Sequence, residues 1–245
     1  MTNDSKTLPP VLLKRWFPVL DPWLSIQTKL KNVIRWIKYI GKDNGIRIQN
    51  SGEHSLSLTL LGIQVLGELS PYVKLNEGLV LSALVVHDFG EGEIKKDTLY
   101  ADKSPEGDLE EYLAFRQSFE LNSGGQFHLF HRAFLLQFAT DDPPTIFPDD
   151  ARMIMEDLMI KYPMEVLAFR AIEIWDYLYF AFEQYSKRGN SMILVQTLRH
   201  QFDRLDDLAE NLPGFRQQIW TKDIRDWCED FLEVHEGQLI EKMEA

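Results

Sequence analysis

The sequence has very little cysteine. Cys228 is the only one in 245 residues. No intramolecular disulfide can therefore form, and a zinc cage of several thiolates cannot be built. A single thiol is typical of a protein of the reducing cytoplasm, which is the location we expect, and we interpret Cys228 as a small packing residue.

Long apolar segments are also missing. No run approaches the roughly 18 apolar residues of a membrane-spanning helix, and the first 20 residues lack the basic start and uninterrupted apolar stretch of a secretory signal. We therefore expect a soluble protein with no membrane partner. The hydrophobic fraction of 44% and the aromatic fraction of 12% are nevertheless sufficient for a packed core.

Basic residues are few relative to acidic ones. The chain has 26 Lys and Arg against 38 Asp and Glu, which gives a net charge of −12 and a pI near 5.0. Such a protein repels a polyanion at long range, so we expect no duplex nucleic acid as a partner. A small anionic substrate is compatible with this net charge, because a metal ion and a few nearby basic residues can outweigh the overall negative potential of the protein.

The apolar residues recur at helical spacing, and no convincing alternating run appears, so the sequence predicts an all-α fold. In the second predicted helix, Leu56, Leu60, Ile63 and Leu66 form the apolar face, and we expect this helix to pack against the third. Residues 90–126 are expected to be mostly loops, and 140–150 are the best linker candidate. The predicted helices are 24–41, 52–70, 77–87, 109–119, 127–138, 150–161, 164–187, 191–208 and 221–243.

Histidine is scarce, with six in the chain, and two of its positions are informative. His54 lies at the start of one predicted helix, and His87 ends the next and is followed directly by Asp88. An apolar helix that ends in adjacent His and Asp places two polar groups at the edge of a core, where each needs a partner. One divalent cation would satisfy both, since imidazole and carboxylate are suitable ligands.

Asp176 is the best candidate for a further ligand. Its helix neighbours three and four positions away are apolar, so its side chain is predicted to point inward. A carboxylate in that position needs a compensating charge. A metal would supply it, and a buried arginine such as Arg170 or Arg47 is the alternative.

Taken together, the segments RIQNSGEHS and LVVHDFGE and the later Asp176 resemble the HD-domain superfamily of metal-dependent phosphohydrolases, nearest the 5'-deoxynucleotidase branch. The resemblance covers about residues 25–190. It implies an HD-domain helical bundle with additional C-terminal helices. It also implies a divalent ion, whose identity among Mn, Co, Mg, Zn and Fe is open, and the metal ligands His54, His87, Asp88 and Asp176.

The resemblance also implies a domain division. Residues 1–22, which are rich in proline, would be an irregular lead-in, 23–190 the HD-type metal-binding helical domain, and 191–245 a C-terminal helical extension packed on the same core.

The catalytic residues follow from the same resemblance. Glu91 lies four residues after His87, where the family commonly carries a catalytic glutamate that orients or deprotonates water. The family usually has an Asp nine positions after that histidine, whereas this chain reaches Asp97 at ten. Asp97 is our candidate for the acid that protonates the leaving group, and Glu93 is a rival.

The expected phosphate contacts are Arg47, Lys95 and Lys96. Arg47 lies seven residues before His54, as in related phosphatases, and a guanidinium binds phosphate with two parallel hydrogen bonds. For the lysines the alternative is a solvated loop position. The resemblance therefore implies a hydrolase that removes phosphate from a small phosphorylated metabolite, with nucleoside 5'-monophosphates as the leading class, and a homodimer as the assembly.

Two other functions stay open. His128 and His131 lie three apart and would share a helix face, which would suit a second metal in a binuclear phosphodiesterase or oxygenase; otherwise they are paired core or surface residues. The second alternative is a non-catalytic HD-like helical protein with a structural metal and a protein partner. His200 and His235 lie beyond the resemblance and are expected to be structural or exposed.

Overall fold

The computed structural model describes residues 17–42, 45–98, 103–120 and 127–244. The predicted all-α class is confirmed for this part of the chain. None of the helices in it is long and apolar enough to cross a bilayer. The helices are α1 Phe17–Leu30, α2 Ser51–Leu69, α3 Glu77–Val86, α4 Phe89–Ile94, α5 Pro105–Phe119, α6 Phe127–Leu135, α7 Asp149–Lys161, α8 Pro163–Arg188, α9 Ser191–Asn211, α10 Phe215–Gln218 and α11 Lys222–Glu244, with 3-10 turns at Ile37–Tyr39 and Leu136–Phe138.

Side-chain caps fix where the helices around the site begin. The Asn50 side chain accepts a hydrogen bond from the amide of Glu53, and Asn76 accepts one from the amide of Leu79. Each cap satisfies an amide that has no partner within its own helix. The predicted start of α3 at Asn76 is therefore confirmed.

The first predicted helix, 24–41, is wrong in its second half. The helix begins at Phe17, within the segment expected to be irregular, and ends at Leu30. The chain then turns and pairs with residues that precede α2, since the Arg35 amide donates to the carbonyl of Gln49 at 2.9 Å. Trp36 adopts the left-handed conformation with φ of 59°. These long-range backbone hydrogen bonds replace the helical ones that the apolar periodicity of the segment predicted.

The apolar face of α2 was predicted wrongly at three of its four residues, and only Leu66 is buried, at 2% exposure. Leu56, Leu60 and Ile63 are 63%, 60% and 56% exposed. The face that packs on α3 and α8 instead contains His54, Leu58 and the small residue Gly62. At Gly62 an added Cβ would lie 2.3 Å from Cδ1 of Leu84. Helices α2 and α3 thus come closest at Gly62, where α2 has no side chain.

The long helix α8 lies at the centre of the fold. It packs against α2, α3, α7 and α9, and its buried apolar residues belong to one continuous hydrophobic core that extends to α9 and α11. Cys228 of α11 is fully buried in this core, and burial raises the pKa of its thiol to about 12. Its expected role as a packing residue fits this position.

All of helix α4 except Phe89 lies within 90–126, where mainly loops were predicted. It follows α3 directly and packs between α1 and α5. The contact with α5 depends on Gly90, where an added Cβ would lie 2.4 Å from the backbone oxygen of Glu111. Because a backbone oxygen cannot rotate away as a side chain can, Gly90 allows α4 to dock.

We predict that Gly90→Ala lowers the free energy of unfolding by about 1–3 kcal/mol, as overpacking of a close contact does. The matched control is Gly67→Ala in α2, since no atom lies within 4 Å of a Cβ at Gly67. This control should gain about 0.5–1 kcal/mol from helix propensity. Urea unfolding of both variants measures the difference, and equal stabilities would contradict the close α4–α5 contact.

Candidate metal centre

Three elements bring the predicted metal ligands together. His54 lies in the first turn of α2, His87 and Asp88 join α3 to α4, and Asp176 lies in the middle of α8. All four side chains are buried, with exposures of 0%, 2%, 4% and 5% in chain order. Buried polar groups of this kind need partners or a cation.

His54, His87 and Asp88 form a compact group of ligand atoms. The two Nε2 atoms lie 3.4 Å apart, Nε2 of His87 lies 3.0 Å from Oδ1 of Asp88, and Nε2 of His54 lies 3.8 Å from Oδ2 of Asp88. Within the described ranges, this is the one group of three such residues whose ligand atoms all lie within 4.8 Å. We call these three residues the metal group.

The other ring nitrogens of the two histidines are already engaged. Nδ1 of His87 lies 3.0 Å from the carbonyl oxygen of Leu84, which can only accept a hydrogen bond. Nδ1 of His54 lies 2.9 Å from a carboxylate oxygen of Asp176. Both Nδ1 atoms therefore donate, so a ring that carries no second proton has its lone pair on Nε2. Two acceptors that face each other at 3.4 Å need a cation or a proton between them.

Asp176 contacts His54 on the side of the ring opposite to the metal group. A carboxylate that accepts from Nδ1 fixes the tautomer and orientation of an imidazole whose Nε2 binds a metal. The observed hydrogen bond is therefore the contact of a residue that orients a ligand. Direct ligation by Asp176 stays a prediction.

The charges of Asp88 and His87 in the metal group stabilise each other. Burial alone would raise the pKa of Asp88, but His87, His54 and Arg35 hold it well below its usual range. Burial likewise opposes protonation of His87, and the Asp88 carboxylate outweighs this effect and raises the pKa of the imidazole. Asp88 is thus ionised, as a metal ligand must be.

Arg35 is the site residue that the sequence analysis missed. It is 5% exposed, and its Nη1 lies 3.4 Å from Asp88, 3.9 Å from Glu91 and 3.3 Å from Asp97. Burial would lower the pKa of its guanidinium, but the carboxylates of Asp97 and Asp88 outweigh this and raise it well above its usual value. The one signal in the sequence was an arginine inside the apolar stretch VIRWI.

Glu91 and Asp97 lie beside the metal group, and Glu93 does not. Glu91 is 3% exposed and accepts a hydrogen bond from the Ser51 hydroxyl at 3.4 Å. Burial and the charge of Asp88 raise its pKa well above the usual value. Asp97 accepts from the amide of Trp36 at 3.3 Å, whereas Glu93 pairs with Lys29.

The expected phosphate contacts lie elsewhere. The Arg47 guanidinium lies 3.5 Å from Glu53 and 3.4 Å from Glu183 and over the ring of Phe180. Lys95 and Lys96 are exposed after the end of α4. Within the described chain, no ion pair or hydrogen bond joins the side chains of these three residues to the metal group. Their role in binding phosphate stays a prediction.

The remaining histidines do not add ligands to the metal group. Nε2 of His131 lies 3.0 Å from the Tyr112 hydroxyl, and burial lowers the pKa of this imidazole. His128 and His200 are exposed, and the ring of His235 lies 4.3 Å from that of Phe231. Among the described residues, neither His128 nor His131 belongs to a second metal-ligating group.

We predict that Glu91 makes the metal-free protein less stable as the pH rises. Its folded pKa is raised, so its contribution is fully present below the unfolded value of about 4.3 and is lost as pH rises through the folded value. In EDTA, the melting temperature of Glu91→Gln should therefore fall less between pH 4 and 9 than that of the wild type. Glu156→Gln, at an exposed residue of α7, should keep the wild-type slope, and a wild-type slope in Glu91→Gln would contradict the raised pKa.

Comparison with known proteins does not identify a family for this chain. No family model, no curated protein and no solved structure matches the chain.

Proposed function

We propose that the chain is a metal-dependent hydrolase that removes phosphate from a small phosphorylated metabolite, with nucleoside 5'-monophosphates as the substrate class. The observation that carries the proposal is the pair of Nε2 atoms 3.4 Å apart beside the Asp88 carboxylate, with both Nδ1 atoms engaged as donors. The substrate class follows from the resemblance to HD-domain phosphohydrolases.

The donor set fits a divalent transition metal. His54 and His87 would supply nitrogen ligands and Asp88 an oxygen ligand, which suits Mn, Co, Zn or Fe better than Mg. Asp176 would orient His54 or add a fourth ligand. When bound, a divalent cation lowers the pKa of a coordinated water and polarises a phosphoryl oxygen.

The neighbouring residues would handle the proton and the phosphate charge. Glu91, whose pKa is raised by burial, would be the carboxylate that accepts a proton from water. Nε of Arg35 is buried with no hydrogen-bond partner among the described residues. The proposal assigns this unpaired donor to a phosphoryl oxygen, and Asp97 holds the guanidinium in place.

A non-catalytic metal is the second candidate, and the burial of the metal group favours it. His54 is 0% and His87 is 2% exposed, whereas a catalytic metal keeps an open position for water or substrate. In this case the ion would join α2, α3 and α4 without turnover. Metal content together with an activity screen separates the two candidates.

We predict that His87→Ala and Asp88→Ala abolish metal retention and any phosphatase activity, because each removes a direct ligand. Asp176→Asn should weaken metal affinity by about 10- to 100-fold if Asp176 only orients His54. Metal analysis of the purified variants gives the stoichiometry, and a screen of phosphomonoesters with added Mn, Co or Mg gives the activity.

His128→Ala is the matched control, because His128 is an exposed histidine outside the metal group. It should retain the wild-type metal content and activity. Wild-type metal stoichiometry in both His87→Ala and Asp88→Ala would refute the site. One bound metal without turnover of any phosphomonoester would favour the non-catalytic candidate.

We predict that Glu91→Gln keeps the metal and loses at least about a hundredfold in kcat, since general base catalysis typically contributes 10²–10⁴-fold. The amide is similar in size but cannot accept the proton. Steady-state kinetics with the best substrate from the screen measures the effect. Normal turnover by this variant would mean that Glu91 has no catalytic role.

A further inference from the structure

A cavity of about 620 Å³ lies between α8 and α9, and His54, His87 and Asp88 are not among its lining residues. Its volume is within the range of about 300–1,000 Å³ that is usual for small-molecule sites. Three basic residues line it, Lys103, Arg170 and Arg204, together with four acidic ones, Asp108, Glu173, Asp203 and Asp207.

The cavity and the metal group lie on adjacent sides of α8. Asp176 and Phe169, seven residues apart, contact His54 and His87. Arg170 and Tyr177, also seven residues apart, line the cavity. Each pair follows one stripe of the helix, since seven residues are close to two turns. Tyr177 joins the two regions, because its ring also stacks on that of His54 at 6.1 Å.

The two arginines of the cavity have only neutral hydrogen-bond acceptors. Nη2 of Arg170 donates to the carbonyl of Ala139 at 2.5 Å, and Nη1 of Arg204 donates to the side-chain oxygen of Gln201 at 3.4 Å. Neither forms an ion pair with a carboxylate of the described residues. This differs from Arg132 and Arg225, each of which contacts an aspartate at 2.9 Å and 3.0 Å respectively.

The carboxylates near Arg170 do not fully offset its burial. Burial lowers the pKa of its guanidinium, and with the like charge of Arg204 it outweighs the opposing effect of the Glu173 carboxylate. Two neighbouring guanidiniums bind a phosphate through several charge-assisted hydrogen bonds, which are stronger than those between neutral groups.

We propose that this cavity binds a small organic phosphate that carries hydroxyl groups, with the phosphate between Arg170 and Arg204 and the hydroxyls donating to Asp203 and Asp207. The acidic residues of the cavity are the reason that the proposed ligand carries hydroxyl groups. Four carboxylates against three cations repel an anion that has no donor groups, so the ligand must also donate hydrogen bonds. A sugar phosphate has both features.

The test uses metal-free protein, so that the metal group does not contribute. Isothermal titration with glucose 6-phosphate and with glycerol 3-phosphate should show saturable binding of at least one, and glucose should bind at least about tenfold more weakly than glucose 6-phosphate. Arg170→Gln and Arg204→Gln should each weaken the binding by about tenfold or more, the loss of one charge-assisted contact. Asp203→Asn should weaken the binding of glucose 6-phosphate more than that of inorganic phosphate.

Arg188→Gln is the matched control, because Arg188 is an exposed arginine of α8 and does not line the cavity. It removes the same charge and should leave the affinity unchanged. The proposal is overturned if neither organic phosphate binds, if glucose binds as tightly as glucose 6-phosphate, or if the Arg204→Gln variant keeps wild-type affinity. Arg204→Gln loses only the bond to Gln201, so it decides the question even if Arg170→Gln does not fold.

Discussion

Two imidazole Nε2 atoms that face each other beside a buried carboxylate impose the main constraint on this structure. Their separation of 3.4 Å holds only while α2 and α3 stay packed on α8 and while Asp176 and the carbonyl of Leu84 engage the opposite ring nitrogens. Either a metal ion or a proton between the two nitrogens makes this close approach favourable. The packing of α2, α3 and α8 therefore determines the positions of the ligand atoms in the metal group.

Arg35 balances the negative charge around this group. Asp88, Glu91 and Asp97 all lie within 4 Å of one guanidinium nitrogen, in a region where a lone buried carboxylate would be strongly unfavourable. The guanidinium reaches them because the chain leaves α1 at Leu30 and pairs with the residues before α2. The irregular segment after α1 thus has a definite electrostatic role.

Helix α8 lines the cavity on one side and contacts the metal group on the next. One stripe of α8 faces the imidazoles, and the next faces Arg204 and the acidic residues of α9. Tyr177 contacts both, with its hydroxyl donating to Glu173 at 2.7 Å. A ligand in the cavity and an ion in the metal group would therefore share one wall, formed by Tyr177.

The sequence by itself determined the all-α class, the cap at Asn76 and the position of His87 and Asp88 at the end of an apolar helix, because periodicity and capping are local properties. It could not place Arg35, α4 or the buried face of α2, since backbone pairing across the chain and close contacts at Gly62 and Gly90 decide these. Only the tertiary structure decided which ring nitrogen of His54 meets Asp176, because that choice depends on the rotation of α8 against α2.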